Sequence, residues 1–427
     1  MRLPLPDSDK PPPGPFRPGF WRSPLRSPQL TAMLGLVLLI GLPVVAVTGL
    51  LSNDAYQPGL GGNALGRHIN GPLDVYLFGW PSSPRWLYAL TQGAHVTLGL
   101  ALFPVVLAKL WSVIPRLFEW PPARSPAHAL ERASLALLVG SALFEFVTGI
   151  LNIQYWYAFP FDFTQAHYYG AWVFIGALVA HIPLKLPTLR RSLRVRRELL
   201  GEAGPLAGLP APAGPVALSS PNPAPATLSR RGLLAAVGGA SAILLAQGLG
   251  QSVGGPLRAL AFLLPRGRTR PGPLGFPVNK TWLSSGVSRV AVGKRWRLTV
   301  HGGRTLVFSR EQLLALPQHT YELPIACVEG WSTTQRWSGV SVSELAAMAG
   351  VSGPASLTSV SLEHGTYGSA TLGHEQVSNP QTLLALRVNG LDLPLDHGYP
   401  ARIISPAVPG VHCTKWVTEM RFEPVSA

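Results

Sequence analysis

The chain has 427 residues, enough for two or three domains, with 47% hydrophobic and only 13% charged residues against roughly 25% charged in soluble domains. Two cysteines in that length exclude a disulfide scaffold, and the shortage of charge points to a membrane. The net charge of +15 does not imply nucleic acid: thirteen basic residues fall within 1–30 and 185–231, beside apolar segments, where the positive-inside rule accounts for them.

Residues 1–29 are Pro-rich and basic and read as a disordered cytoplasmic arm. Residues 30–187 read as an all-α four-helix transmembrane bundle. Its apolar stretches are Leu30–Leu51, Trp86–Leu110, Ala133–Leu151 and Tyr168–Leu186, each near the ~20 residues a span needs. Aromatic residues such as Trp86, Trp111, Trp156 and Tyr169 crowd their ends, as at lipid headgroups. The first run is long and more spans follow, so it reads as a helix and not a cleavable signal.

Lys and Arg alternate between connections: five in the N-terminal arm, four in 109–132 and eight in 185–231, but two in 52–85 and none in 152–167. The N-terminus is therefore expected in the cytoplasm of a multi-pass protein in the cytoplasmic membrane. Residues 188–231 form a Pro/Ala-rich cytoplasmic linker. Residues 232–250, with Gly232–Leu249 as the apolar run, are a fifth membrane helix or an internal twin-arginine-like signal. Ser229-Arg230-Arg231-Gly232-Leu233-Leu234 supports export, or two arginines anchoring an ordinary helix. Residues 251–277 read as a tether, and five crossings place residues 278–427 outside the cytoplasm.

Residues 278–427 alternate strand and helix signals and predict an α+β domain. Strands are expected at Trp296–His301, Thr305–Phe308, Tyr321–Cys327, Leu357–Glu363, Ala401–Ser405 and Trp416–Phe422. Short helices are expected at Glu311–Leu316 and Ser343–Met348, the latter capped by Ser341 or Ser343 and ended by Gly350.

Histidines in the apolar half are candidate metal ligands, because ionisable groups at membrane depth are costly and face the bundle interior. His95 lies in the second apolar run. His167 and His181 lie fourteen residues apart at the fourth, on nearly one face and roughly 21 Å apart along the axis. His68 lies in the 52–85 connection. Glu145, in the third run, suits proton movement at a quinone site or pairing with an Arg. This pattern resembles bacterial di-haem b-type cytochromes that serve as membrane subunits of respiratory dehydrogenases. The resemblance implies one or two haem b groups on His95, His181, His167 and His68, and a quinone or another respiratory electron carrier as partner. It departs from that family in having no histidine in the first helix.

Cys327 stands between a strand and a Gly-Trp turn, where a thiolate can ligate a soft metal or act as a nucleophile. A disulfide to Cys413 is the competing reading. Ile325-Ala326-Cys327-Val328-Glu329-Gly330-Trp331-Ser332 precedes Trp337-Ser338-Gly339-Val340. Later come His397-Gly398-Tyr399-Pro400-Ala401-Arg402 and Gly410-Val411-His412-Cys413-Thr414-Lys415-Trp416, and earlier Phe276-Pro277-Val278-Asn279-Lys280-Thr281. Together these segments resemble the molybdopterin-binding domain of the sulfite oxidase superfamily, in particular the bacterial periplasmic branch with the methionine sulfoxide reductase catalytic subunit.

That resemblance implies a molybdenum-molybdopterin cofactor with Cys327 as its thiolate ligand. It also implies Asn279, Arg402, Lys415 and His412 as cofactor-binding residues, and Tyr399 and Glu329 beside the reacting centre; His412 stands where the family often has Lys. The whole chain is then expected to be a membrane-anchored molybdopterin-dependent oxidoreductase. It would carry out two-electron oxo-transfer on a small-molecule substrate, with its membrane segments in lipid. The alternatives are a b-type cytochrome with a catalytically silent outer module, and a molybdoenzyme on a haem-free anchor.

Overall fold

A computed structural model describes residues 10–56, 79–161, 163–201, 220–268, 273–365 and 367–424. Five helices are long and apolar enough to cross a membrane: α1 (Pro28–Tyr56), α2 (Leu87–Leu117), α3 (Pro126–Ile153), the Phe163–Pro187 stretch of α4 (Phe163–Gly201) and α5 (Arg230–Val253). Serines start three of them. Ser27 Oγ accepts from Leu30 N–H at 3.2 Å, Ser125 Oγ from His128 N–H at 3.1 Å and Ser229 Oγ from Gly232 N–H at 3.0 Å. Each cap satisfies a donor that the first helical turn leaves unpaired.

By compactness the chain divides into two units. The first comprises Met1–Ala46, Leu98–Ile150 and Ala166–Leu245. Its core sets Leu30, Leu34, Leu38 and Leu42 of α1, four residues apart on one face, against Leu102, Val105 and Val106 of α2. Gly41 permits the approach, since a Cβ there would lie 2.7 Å from Leu102 Cδ1.

The second unit comprises Val47–Thr97, Leu151–Gln165 and Ala246–Ala427. After the short α6 (Pro265–Arg268), its elements are β1 (Leu298–His301), β2 (Leu306–Phe308), α7 (Arg310–Ala315), β3 (His319–Ala326), β4 (Ser332–Ser341) and α8 (Val342–Met348). They continue through β5 (Pro354–Ser361), β6 (Ser369–Gly373), α9 (His374–Val377), β7 (Leu383–Val388), β8 (Leu391–Asp392), β9 (Arg402–Ile404) and β10 (Val417–Pro424). One sheet runs β2-β1-β10-β5-β6, with β1 and β10 parallel. The other runs β3-β4-β7-β8, with β9 also on β7. A single apolar cluster takes Leu298, Val300, Leu357 and Met420 from the first sheet and Leu323, Trp337, Leu384 and Ile403 from the second.

The expected α+β domain is present, and its expected strands and helices fall within a few residues of the observed ones. Four strands were not legible. β4 is polar in sequence, while β7 reads Leu-Leu-Ala-Leu-Arg-Val, a run without alternation. The reason is position: β7 is central, pairing with β4, β8 and β9, and the consecutive Leu383, Leu384, Ala385 and Leu386 are all buried, so both its faces are covered.

Candidate active site

β3 and β4 pair down to Ala326 opposite Ser332, and the five residues Cys327–Trp331 close the turn. Cys327 N–H donates to Trp331 O at 2.9 Å, and Gly330 N–H donates to Cys327 O at 2.9 Å. Cys327 is thus the first residue of the loop and not the last of the strand, as its sequence suggests. Gly330 sits at φ +87°, a conformation glycine adopts without penalty, and a Cβ there would lie 2.7 Å from Val96. Cys327 and Cys413 are both free and buried, which removes the disulfide reading. Burial, then the Glu329 charge, pushes the Cys327 thiol up, while Arg266 pulls it down.

A second group of residues forms around Lys415. Its ammonium donates to Asn279 Oδ1 at 3.2 Å, Lys280 O at 2.5 Å and Asp396 O at 3.1 Å. None of these acceptors is a carboxylate. Burial, reinforced by Arg402, lowers the Lys415 pKa to about 7. Arg402 is 4% exposed, and burial lowers its pKa to about 10. Its guanidinium donates to His397 O and Cys413 O, each at 3.0 Å, and lies 5.3 Å from the Trp337 ring centre. Its Nε is buried without a partner among the described residues. A Cβ on Gly398 would lie 3.1 Å from both Arg402 Cβ and Lys415 Cβ, so a glycine lets the two cationic residues approach.

The structure distributes the remaining expected residues. Glu329 accepts from Trp331 Nε1 at 2.7 Å, from Arg266 Nε at 3.2 Å and from the Tyr155 hydroxyl. Tyr399 lies under the Arg310 guanidinium at 4.9 Å, in a cavity of about 570 Å³ lined also by Arg289, Trp296 and Asp392. His412 Nε2 lies 3.1 Å from Tyr56 O, its Nδ1 is buried without a partner among the described residues, and burial lowers its pKa to about 4.

Among the membrane histidines, the His95 ring occupies the space left by Gly49 of α1, where a Cβ would lie 2.8 Å from His95 Cε1. His167 Nδ1 lies 3.0 Å from Thr148 Oγ1 and 3.2 Å from Glu145 Oε2, so Glu145 pairs with a histidine and not an arginine. His181 is partly buried in α4. His68 lies outside the described residues.

Sequence reasoning missed several residues that shape the site. His397 stacks on Phe276 at 3.9 Å between ring centres and accepts from Arg402 through its carbonyl. Its signal was its place at the head of the segment that ends in Arg402. Gln92, Tyr155, Gln251 and Arg266 carried no local signal; each meets the Cys327 loop only through the fold.

Residues 285–426 match the oxidoreductase molybdopterin binding domain family. The chain is 30% identical over 149 residues to rat (Rattus norvegicus) mitochondrial sulfite oxidase, covering 29% of this chain and 27% of that protein. It is 30% identical over 131 residues to the "Uncharacterized oxidoreductase YuiH" of Bacillus subtilis (30% of this chain, 65% of that one). It is 29% identical over 151 residues to the "Putative protein-methionine-sulfoxide reductase subunit YedZ1" of Azospira oryzae (35% and 55%). The chain thus spans less than two thirds of each of these relatives.

The residues present fit such a cofactor. Among the described residues no three His, Cys, Asp or Glu side chains cluster as a metal cage. The orphaned Arg402 Nε and the carboxylate-free contacts of Lys415 suit an anionic group.

Proposed function

We propose, from the match of residues 285–426 to the oxidoreductase molybdopterin binding domain family, that the chain is a membrane-anchored molybdoenzyme. When bound, the molybdenum–pterin group supplies two-electron oxo-transfer chemistry. The carrying observation is that one free, buried Cys327 shares a unit with two cations, the buried Arg402 and the half-buried Lys415, that lack anionic hydrogen-bond partners. Cys327 is the metal's thiolate ligand. Asn279, Lys415 and Arg402 hold the anionic cofactor, with the His397–Phe276 stack beside Arg402. Burial of Cys327 keeps water from the sulfur.

The Cys-Val-Glu sequence at Cys327 favours reduction of sulfoxide-like or N-oxide-like small molecules. One or two haem b groups, when bound, would supply electron transfer between a quinone or another respiratory carrier and the site. His95, His167 and His181 are their candidate ligands, with His68 as a further one. The Glu145 and Thr148 contacts to His167 Nδ1 support this, because an oriented ring presents its other nitrogen to a metal. The distribution of Lys and Arg supports a cytoplasmic N-terminus and an extracytoplasmic catalytic domain, and Arg230-Arg231 supports twin-arginine export of a domain loaded before it crosses.

The test is metal content together with a reduced-minus-oxidised visible spectrum, on the wild type and on Cys327→Ser. The expected wild type carries molybdenum and a bis-histidine haem α-band, and Cys327→Ser loses turnover of a sulfoxide or N-oxide while keeping the α-band. Full turnover in Cys327→Ser, or a wild type that carries haem without molybdenum, would sink the reading.

A further inference from the structure

Arg266 precedes the matched domain, in the segment that reads from sequence as a tether. In the structure it is a junction. Its side chain is 15% exposed. Nε donates to Glu329 Oε2 at 3.2 Å and Nη2 to Oε1 at 3.4 Å. Nη1 donates to Val278 O at 2.6 Å, and Nη2 also to Asn279 O at 2.8 Å. The guanidinium lies 4.3 Å from the Tyr155 ring centre, and the Tyr155 hydroxyl donates to the same Glu329 carboxylate.

These contacts have two ends. Glu329 belongs to the Cys327 loop, two residues from the sulfur. Asn279 holds Lys415 through its own side chain. One planar fork of donors therefore ties the loop that carries the thiol to the segment that seats the anion-binding lysine. A lysine cannot replace it, because a single ammonium cannot present parallel donors to a carboxylate and two carbonyls in different directions.

The rest of the loop is held in the same manner by residues outside 285–426. Gln92 Nε2 donates to Val328 O at 2.5 Å, Gln251 Nε2 to Glu329 O at 2.6 Å, and Ser332 Oγ to Ser252 O at 2.5 Å. Both Glu329 oxygens are taken by protein donors, so its carboxylate acts as an anchor.

We propose that Arg266 is a positioning residue that fixes the Cys327 sulfur relative to the Asn279–Lys415 seat, acting through Glu329 and the backbone at Val278 and Asn279. This rests on the molybdoenzyme reading for its purpose, because the distance between sulfur and seat matters only if one cofactor spans both. It does not rest on that reading for its geometry.

The experiment uses the full chain in detergent, in a Cys413→Ala background, so that Cys327 is the single thiol. The first readout is alkylation of Cys327 by iodoacetamide measured across pH and compared as the rate per thiolate, because removing Arg266 also raises the thiol pKa, in protein produced without molybdate. Arg266→Gln is expected to speed alkylation about tenfold, the factor that follows from losing charge-assisted hydrogen bonds that hold a loop closed. Arg266→Lys should give a partial increase, because charge returns without the fork.

The second readout is the Mo(V) electron paramagnetic resonance spectrum of molybdate-grown protein. Arg266→Gln should alter its line shape while molybdenum content stays within about twofold of wild type, the scatter expected when the cofactor's own cation contacts are intact. Loss of general stability alone would lower metal content and leave the line shape of the loaded fraction unchanged.

If Arg266→Gln does not fold, Tyr155→Phe takes its place, since it removes one donor to Glu329 and no charge. Its expected alkylation increase is about threefold, in keeping with one lost hydrogen bond. Wild-type alkylation and line shape in Arg266→Gln, or in Tyr155→Phe standing in for it, would overturn the proposal. A wild type without molybdenum sinks the molybdoenzyme reading, and the alkylation rates still decide the role of Arg266.

Discussion

Gln92 donates its side-chain amide to the carbonyl oxygen of Val328 at 2.5 Å. Four residues further along α2, Val96 fills the space beside Gly330. Positions i and i+4 share a helix face, so the Cys327 loop rests on one face of α2 through a hydrogen bond and an apolar contact.

The apolar contact can be tested by adding one methyl. Gly330→Ala places a Cβ at φ +87° and 2.7 Å from Val96. The conformation costs about 1–2 kcal/mol and the overpacking a further ~1–3 kcal/mol. Val96→Ala removes the two methyls, at 2.7 and 2.9 Å, but keeps the Cβ at 2.7 Å, so it should relieve part of the overpacking and leave the first cost. Thermal unfolding of both single variants and the double in detergent reads this, and strictly additive destabilisation would show that the Val96 methyls do not bear on the loop.

Arg402 offers a test of the anion seat. Arg402→Ala strips the buried carbonyls of His397 and Cys413 of their donors. At about 1–3 kcal/mol for each unsatisfied group, the domain should lose roughly 2–6 kcal/mol and fail to retain cofactor. Arg402→Lys should keep the charge, restore one carbonyl at most, and retain an intermediate amount of cofactor. Pterin fluorescence after oxidative release, set beside the unfolding midpoint, checks both.

Lys415 predicts a pH dependence with a definite sign. Burial lowers its folded pKa from 10.5 to about 7. In the cofactor-free chain the unfolded state binds the extra proton between these values, so stability falls as pH drops from 10.5 toward 7. An anionic cofactor prefers the protonated lysine, so its retention should be strongest below about pH 7 and weaken as pH rises. Cofactor content after dialysis at several pH values reads this, and Lys415→Met should flatten the profile. A profile unchanged by Lys415→Met would mean that another group titrates.

The legible part of the site was the part written as contiguous segments. Asn279 and Lys415, named from two short segments 136 positions apart, are in contact in the structure, and the five apolar helices and the α+β domain follow from composition and alternation. Tyr399 and His412 belong to equally recognisable segments, and their surroundings, a cavity beside Arg310 for Tyr399 and the Tyr56 carbonyl for His412, came only from the fold. A motif names a residue type and leaves its rotamer and neighbours to the fold. The clamp on the Cys327 loop was illegible for a different reason. Gln92, Tyr155 and Arg266 stand 236, 174 and 63 positions from their partners. A single polar residue at the end of an apolar run, or in a Pro- and Gly-rich stretch, has no periodicity to betray it.

The hold of Arg266 on both Glu329 and the Asn279 backbone bears on how this chain can be cut and recombined. The matched domain begins at residue 285, yet the side chains that grip its cysteine loop come from positions 92, 155, 251 and 266. A fragment or fusion joined at the domain's own boundary would inherit the thiol and leave behind the parts that aim it. Residues 285–426 are therefore not a portable cassette, and a chimera meant to carry this site into another protein has to import the N-terminal end of α2, the C-terminal end of α5, Tyr155 and Arg266 with it.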